Sequence, residues 1–413
     1  MGSTRIGSKR ISSTQRKSSA AGNSTGSCTR IRNIILITCI ILFAGAILPA
    51  AAVANHTALP PEIRTDARAA ALIDVGSGRI LYSHNGDERL LIASLTKIMT
   101  AVVALENGNL TDIVTVSPSA VGKEGSSIYL REGQQMTLHN LLYGLMLRSG
   151  NDAATAIAEH IGGTEEGFVY MMNEKAAELG LANTSFRNPH GLDMEDHYSS
   201  AVDLAKLTAY ALKNPDFREI VSTKVKRVPN SDPEARWDHI WYNKNKMLTL
   251  YEGANGVKTG YTKAAGRGLV SSATRDGRQL AAVTINDGND WLDHARLLDW
   301  GFQYYKNIRL VEKGQRVEDT PYAAARSFDY PLYEGEIDHI SHEIILEPEN
   351  SVDYRLGERG RMNFYLDDTL IGTVLLIEDP NAEETNVAWH SVDSSERTFL
   401  RTLQMLLTRL FTL

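Results

Sequence analysis

The chain has 413 residues, 43 of them Lys or Arg and 50 Asp or Glu, for a formal charge of −7 at neutral pH. Residues 1–54 hold seven basic and no acidic side chains, so the other 359 carry 36 basic and 50 acidic ones, a net −14. That balance argues against nucleic-acid binding, and because Cys28 and Cys39 both precede residue 54, the rest has no thiol for a disulfide, a nucleophile or a metal site.

The N-terminus reads as an export signal. Residues 1–32 are Ser, Thr, Gly and basic residues, Ile34 to Leu48 is an almost unbroken apolar run of fifteen, and Pro49-Ala50-Ala51-Ala52-Val53-Ala54 follows. A basic lead, an apolar stretch and a small-residue end describe a signal peptide over residues 1–54, cleaved after Ala54. An uncleaved anchor is the weaker reading, because a membrane span needs ~20 residues. Either way the remainder leaves the cytoplasm.

From Arg68, two short apolar runs around Gly76-Ser77-Gly78 predict a β-hairpin, Ala69–Asp74 and Arg79–Ser83. A helix from about Ser94 to Asn107-Gly108 follows. Residues 110–137 are polar and short-stranded, and include Gly125-Ser126-Ser127. Helices are predicted from Leu138 to Arg148, from Asp152 to Ile161, over 165–180 and over 200–213, with the helical block ending near Asn214-Pro215. Strand character returns at 219–228, 247–250, Gly253–Thr262, Gly268–Ala273 and Gln279–Ile285. The last three predict an antiparallel meander. A helix over Trp291–Tyr305 would pack on it through Trp291, Leu292, Ala295, Leu298 and Phe302, with Asp287, Asp290 and Asp293 as a solvated helix start.

The fold class that follows is α+β: an antiparallel sheet flanked by helices, with a helical subdomain inserted between its first and last strands. Residues 55–306 form this domain. Short strands and turns over 307–390 predict a small C-terminal β-rich domain. In the last segment, 391–413, Ser394 to Leu413 plots as an amphipathic helix with Phe399, Leu400, Leu403, Leu406, Leu407, Leu410, Phe411 and Leu413 on one side. Its arginines and polar face predict that it lies in a membrane interface; docking on a protein surface is the alternative.

Three segments carry the chemistry. Ser94-Leu95-Thr96-Lys97 is the chain's one serine with a lysine three places on, and residues three apart share a helix face. An amine can therefore reach the hydroxyl, and the positive end of the helix stabilises an alkoxide while disfavouring an ammonium. Ser149-Gly150-Asn151 falls on a loop between helices, and Lys258-Thr259-Gly260 on a strand. Each alone is weak; Ser83-His84-Asn85 also fits Ser-x-Asn and reads as a turn. Together, in this order on helix, loop and strand, they match the motif set of penicillin-binding proteins and serine β-lactamases.

From about Arg68 to Trp300-Gly301-Phe302 the chain resembles low-molecular-mass penicillin-binding proteins, the serine-type D-alanyl-D-alanine carboxypeptidases. Asn188-Pro189-His190-Gly191-Leu192 and Val257-Lys258-Thr259-Gly260-Tyr261-Thr262 also carry the likeness. The resemblance implies that Ser94 is acylated and that Lys97 is its base. Ser149 relays a proton to the leaving D-alanine, and Asn151 orients Lys97 and the substrate amide. Lys258 and Thr259 bind the substrate carboxylate, Gly260 lets the peptide lie along the strand, and the N–H groups of Ser94 and Tyr261 form the oxyanion hole.

The implied partners are a peptidoglycan stem peptide ending in D-Ala-D-Ala and β-lactam antibiotics as covalent inhibitors, with a membrane surface for the terminal helix. The implied place is the outer face of the cytoplasmic membrane or the cell wall. No cofactor is implied and no metal: with no His-x-x-x-His spacing, His190 and His239 read as turn and packing residues. Glu178-Leu179-Gly180-Leu181-Ala182 lacks the Asn of a β-lactamase Glu-x-x-Leu-Asn box, which favours the carboxypeptidase over a β-lactamase. Transpeptidase or endopeptidase chemistry, and a non-catalytic wall-binding role, remain the alternatives. Some relatives carry an arginine near position 290 that assists carboxylate binding, whereas Asp290-Trp291 stands here.

Overall fold

The Ala- and Leu-rich run at the start of the domain forms β1 (Ala69–Asp74), buried along its whole length, as a strand covered on both faces must be. The computed structural model describes residues 59–229, 238–318 and 320–379; the predicted signal peptide and terminal helix lie outside them. The Gly76–Gly78 turn returns β1 to β2 (Ile80–His84). A 3-10 turn, Ala93–Thr96, then opens α1 (Lys97–Asn107).

The inserted block comprises the β3 (Ile113–Thr115) and β4 (Gln135–Thr137) pair, α2 (Leu138–Tyr143), α3 (Asn151–Gly162), α4 (Glu165–Glu178), α5 (Ala201–Ala211) and α6 (Pro215–Ser222). The chain returns through the pair β5 (Val225–Val228) and β6 (His239–Tyr242) and the single turn α7 (Met247–Leu250). The meander β7 (Ala254–Thr262), β8 (Gly266–Arg275), β9 (Arg278–Ile285) and the helix α8 (Asp290–Tyr304) complete the domain. Sheet order is β2-β1-β9-β8-β7, so strands from both ends of the domain meet at the β1–β9 pair, as the predicted insertion requires.

Two hydrophobic layers flank this sheet. Ala71, Ile73, Val270 and Val283 pack toward the helical block with Ile98, Leu145, Phe168 and Phe217. On the other face Leu72, Leu269 and Leu280 pack with Leu297 and Leu298 of α8.

Several local expectations are corrected. Residues 219–222 are helix: Asn214, read as an end, is a helix start whose Oδ1 accepts from the N–H of Asp216 and Phe217 (2.8 and 3.1 Å), with Pro215 in the first turn. Met247–Leu250 is also helical, with Asn245 Oδ1 accepting from Met247 N (3.0 Å), in a stretch too short to show a period.

On α8 the buried face runs through Asp290, Asp293, His294, Leu297, Leu298 and Gly301, while Leu292 is 46 % exposed. Asp287, Asp290 and Asp293 are therefore buried, not solvated. Asp290 is gripped by Arg267 through Nη2 and Nε (2.6 and 3.2 Å), Asp293 accepts from Asp66 N (2.7 Å), and Asp287 from Asn289 N (2.8 Å).

After α8, β10 (Lys306–Val311) leads to β11 (Tyr322–Ala324), β12 (Phe328–Leu332), β13 (Ile340–Leu346), the turn α9 (Val352–Arg355), β14 (Gly360–Leu366) and β15 (Thr369–Glu378). Strand β10 pairs with β12, and the others form a sheet in the order β11-β15-β14-β13 around Val311, Val317, Phe364, Val374 and Leu376. Arg79, beside the β1–β2 turn, ties this part to the five-stranded sheet. Its guanidinium pairs with Glu336, donates to the Pro331 carbonyl and lies over the rings of Tyr305 and Tyr330 (5.3 and 5.2 Å).

Candidate active site

Ser94 sits in the 3-10 turn that the chain makes before α1, on a backbone held from both sides. Leu95 N donates to Ile92 O (3.1 Å), Thr96 Oγ1 to Ala93 O (2.8 Å), and Ala93 has φ of +47°. Gly191 packs on this turn with φ of +85°, and a Cβ there would lie 1.9 Å from the Ala93 carbonyl oxygen, so the position takes only glycine.

Lys97 follows one turn on and is fully buried. Its Nζ is 3.0 Å from Ser94 Oγ, 2.7 Å from Asn151 Oδ1 and 2.5 Å from the carbonyl oxygen of His190. Burial, and next the charges of Lys258 and Lys244, hold its pKa well below the ordinary lysine value. A neutral amine has two N–H donors and one lone pair. The amide oxygen of Asn151 and the peptide oxygen of His190 take the donors, leaving the lone pair to face the Ser94 hydroxyl.

Asn151 and Ser149 are placed by a change of helical pitch. Helix α2 runs into a π-turn, Gly144–Arg148, that ends with Ser149 in the left-handed conformation (φ 64°, ψ 35°), and α3 begins at Asn151. The Gly125–Leu130 loop is laid against this junction. Asn151 N donates to Ser126 O (2.7 Å), Asn151 Nδ2 to Glu124 O, and Asp152 accepts from Ser127 Oγ (2.6 Å) and from the N–H of Ile128 and Leu130 (3.1 and 3.0 Å).

The third segment comes from β7, the edge strand of the sheet. Lys258 is buried; its Nζ donates to Ser149 Oγ (3.1 Å) and to the Thr259 carbonyl (2.7 Å). Burial, then the charge of Lys244, brings its pKa down to about 7. A Cβ on Gly260 would stand 3.1 Å from Ile92 O and 3.3 Å from Leu95 N, so the strand packs directly on the serine turn. Thr259 is half-buried, and Tyr261 is 66 % exposed. Arg267, directly across from Tyr261 in the β7–β8 register, is 45 % exposed and is the residue held by Asp290.

The predicted Ser94, Lys97, Ser149, Asn151 and Lys258 thus converge, with Thr259, Gly260 and Tyr261 along the adjoining edge. Two groups escaped sequence reasoning. The carbonyl of His190 carries no residue identity, although the glycine after it signals the turn that presents it. Lys244, whose Nζ meets Ser126 Oγ at 2.9 Å, lies on a loop with no pattern. The ring of His239 stacks on Trp241 with centroids 5.7 Å apart. Among the described residues no cluster of three His, Cys, Asp or Glu could hold a metal ion.

A serine facing the lone pair of a buried lysine, beside a second hydroxyl backed by a second lysine on a sheet edge, defines a serine acyl-transfer enzyme. The family model for D-alanyl-D-alanine carboxypeptidases, peptidase family S11, matches residues 54–289. The chain is 39 % identical over 264 residues to D-alanyl-D-alanine carboxypeptidase DacF of Bacillus subtilis, covering 62 % of this chain and 67 % of that one. It is 30 % identical over 362 residues to DacC of Escherichia coli, covering 81 % and 88 %. The crystal structure of penicillin-binding protein 5 from Haemophilus influenzae superposes with a TM-score of 0.63 at 29 % identity, over 76 % of this chain and 97 % of that one. The chain belongs to the D-alanyl-D-alanine carboxypeptidase family, S11, and is a serine-type peptidase of the penicillin-recognising class that acts on peptidoglycan.

Proposed function

We propose that the protein removes the terminal D-alanine from stem peptides ending in D-Ala-D-Ala, through an acyl-enzyme on Ser94. The Ser94 oxygen attacks the carbonyl of the penultimate D-alanine while Lys97 takes its proton. The N–H groups of Ser94 and Tyr261 receive the developing oxyanion, each donor being worth ~3 kcal/mol. Ser149 passes a proton to the departing amine, and water then releases the shortened peptide. Lys258 and Thr259 engage the terminal carboxylate, Arg267 adds a cation to the same strand edge, and Asn151 orients Lys97 and the substrate amide.

One observation carries this reading: Lys97 Nζ stands 3.0 Å from Ser94 Oγ with both its N–H groups accounted for by Asn151 and His190. A β-lactam offers the same acyl group and is expected to acylate Ser94. Rapid hydrolysis of that adduct needs a placed base; Glu178 instead pairs with Lys175 (2.6 Å) and is 61 % exposed at the end of α4, which supports the carboxypeptidase over a β-lactamase.

In this reading residues 1–54 are the cleaved signal, 55–306 the catalytic domain, 307–390 the β-rich domain and 391–413 the interfacial helix that keeps the enzyme at the outer face of the membrane. The test is incubation with a diacyl-L-Lys-D-Ala-D-Ala peptide together with mass spectrometry of the penicillin adduct. Release of D-alanine and a long-lived adduct on Ser94 are expected. Cross-linked products or fast loss of the adduct would move the assignment to transpeptidase or β-lactamase, and no reaction in folded protein would leave the wall-binding role.

A further inference from the structure

We propose that Glu165, at the start of α4, is a positioning residue for the base: it fixes the ring of His190, and through it the carbonyl that orients Lys97. The inference rests on the reading of Lys97 given above.

The turn Asn188–Leu192 has one polar contact with the chemistry, the His190 carbonyl on Lys97 Nζ. Its internal shape is set by Asn188, whose Oδ1 accepts from the N–H of His190 and Gly191 (3.3 and 2.7 Å) and whose Nδ2 donates to Leu192 O (2.9 Å). Two ties then fasten the turn to its surroundings: Thr100 Oγ1 donates to the Pro189 carbonyl (2.6 Å), and His190 Nε2 lies 3.4 Å from Glu165 Oε1. The first holds the residue before the carbonyl and the second the side chain of the residue that bears it. Gly191 packs on the serine turn beside these ties, so loss of the second leaves the backbone in place and loosens only the aim of the carbonyl at the amine.

Glu165 is itself locked. It is the first residue of α4, after the Thr164 cap that accepts from Gly167 N (3.0 Å), and its Oε2 accepts from Lys123 Nζ (3.0 Å) and Thr155 Oγ1 (3.1 Å). Burial opposes its charge, but His190 and Lys123 outweigh that and hold its pKa down at about 2, so it stays an anion. His190, lowered by burial despite this neighbour, is a neutral ring. Its Nδ1 accepts from Leu192 N (3.3 Å), which leaves the proton on Nε2, the ring nitrogen that lies 3.4 Å from Glu165 Oε1. The outer side of the Lys123–Glu165 pair lines an open polar cavity of about 800 Å³ with Glu159, His160 and Thr164, so a shorter side chain there is replaced by water and not by a void in the core.

The test compares D-alanine release per penicillin-titrated site in the wild type, Glu165→Gln, Glu165→Ala, His190→Leu and the Glu165→Ala/His190→Leu double variant. Misplacing one acceptor of the base is expected to lower kcat about tenfold in each of the Ala and Leu variants, with KM within about twofold. Gln still offers His190 an oxygen and should stay within about threefold of wild type, and the double variant should be no slower than either single one, because both cut the same tie. Wild-type kcat in Glu165→Ala, a Gln variant as slow as Ala, or losses that multiply in the double variant would each overturn the proposal. Should Glu165→Ala give no titratable protein, His190→Leu decides alone, and an unchanged kcat there overturns it. A wild type that neither releases D-alanine nor takes up penicillin would instead sink the reading of Lys97.

Discussion

Lys258 Nζ lies 3.1 Å from Ser149 Oγ, joining the edge of the sheet to the left-handed end of the π-turn. Because Lys258 donates to that oxygen, the serine's own proton is free to go to a departing amine. Ser149→Ala should therefore slow D-alanine release ~10²-fold, the usual scale for one proton-transfer group. Equal rates for variant and wild type, at matched penicillin-titrated concentration, would remove Ser149 from the relay.

The two buried lysines set opposite pH dependences. Lys97, whose pKa is held well below the ordinary lysine value by burial and then by the charges of Lys258 and Lys244, loses its ammonium at lower pH than an exposed lysine, so acylation should rise with pH and fall on acidification. Lys258 titrates at about 7 in the free enzyme. A bound carboxylate raises that value, so above neutrality substrate binding must draw in a proton. Calorimetric titration of the Ser94→Ala protein with peptide at about pH 8, in two buffers of different ionisation enthalpy, should show the uptake. No buffer dependence would mean that Lys258 is already charged.

Arg267 offers a guanidinium cation beside this strand edge. Thr259, Tyr261 and Arg267 share one face of the β7–β8 pair, and Asp290 fixes the guanidinium while 45 % of the side chain stays exposed. Arg267→Gln should raise KM for the peptide roughly tenfold and leave kcat nearly unchanged, as expected on losing a charge-assisted hydrogen bond of ~1.5 kcal/mol. An unaltered KM would confine Arg267 to holding α8 against the sheet.

Gly191→Ala brings a Cβ to 1.9 Å from the Ala93 oxygen at a backbone angle of +85°. The substitution should cost roughly 1–3 kcal/mol in stability from backbone strain and displace the serine turn. Thermal unfolding and the rate of penicillin acylation should fall together. A variant of normal stability and normal acylation rate would show that the turn tolerates a shift at this contact.

What could be read from the sequence was what is local. A serine and a lysine three apart, a glycine turn between apolar strands and the strand carrying Lys258 each declare themselves within a few residues, whereas the strand order β2-β1-β9-β8-β7 rests on pairings between distant segments. The misreadings share a different cause. Asp290 and Asp293 look like a solvated helix start until Arg267 and the Asp66 N–H, distant along the chain, are seen to cover them. Asn214-Pro215 marks a boundary equally well as an end or a beginning, and only the capping bonds decide. The His190 carbonyl is backbone, so composition cannot reveal it.

The β1–β9 pairing closes the sheet with strands from opposite ends of the domain, and this has a consequence in time. A chain emerging from its N-terminus has Ser94 and Lys97 long before it has β7 and the second amine that β7 brings. Until the last three strands dock, the early segments hold a serine with no walls around it. The serine, its base and the second lysine thus come together only once the β7–β9 meander has joined β1.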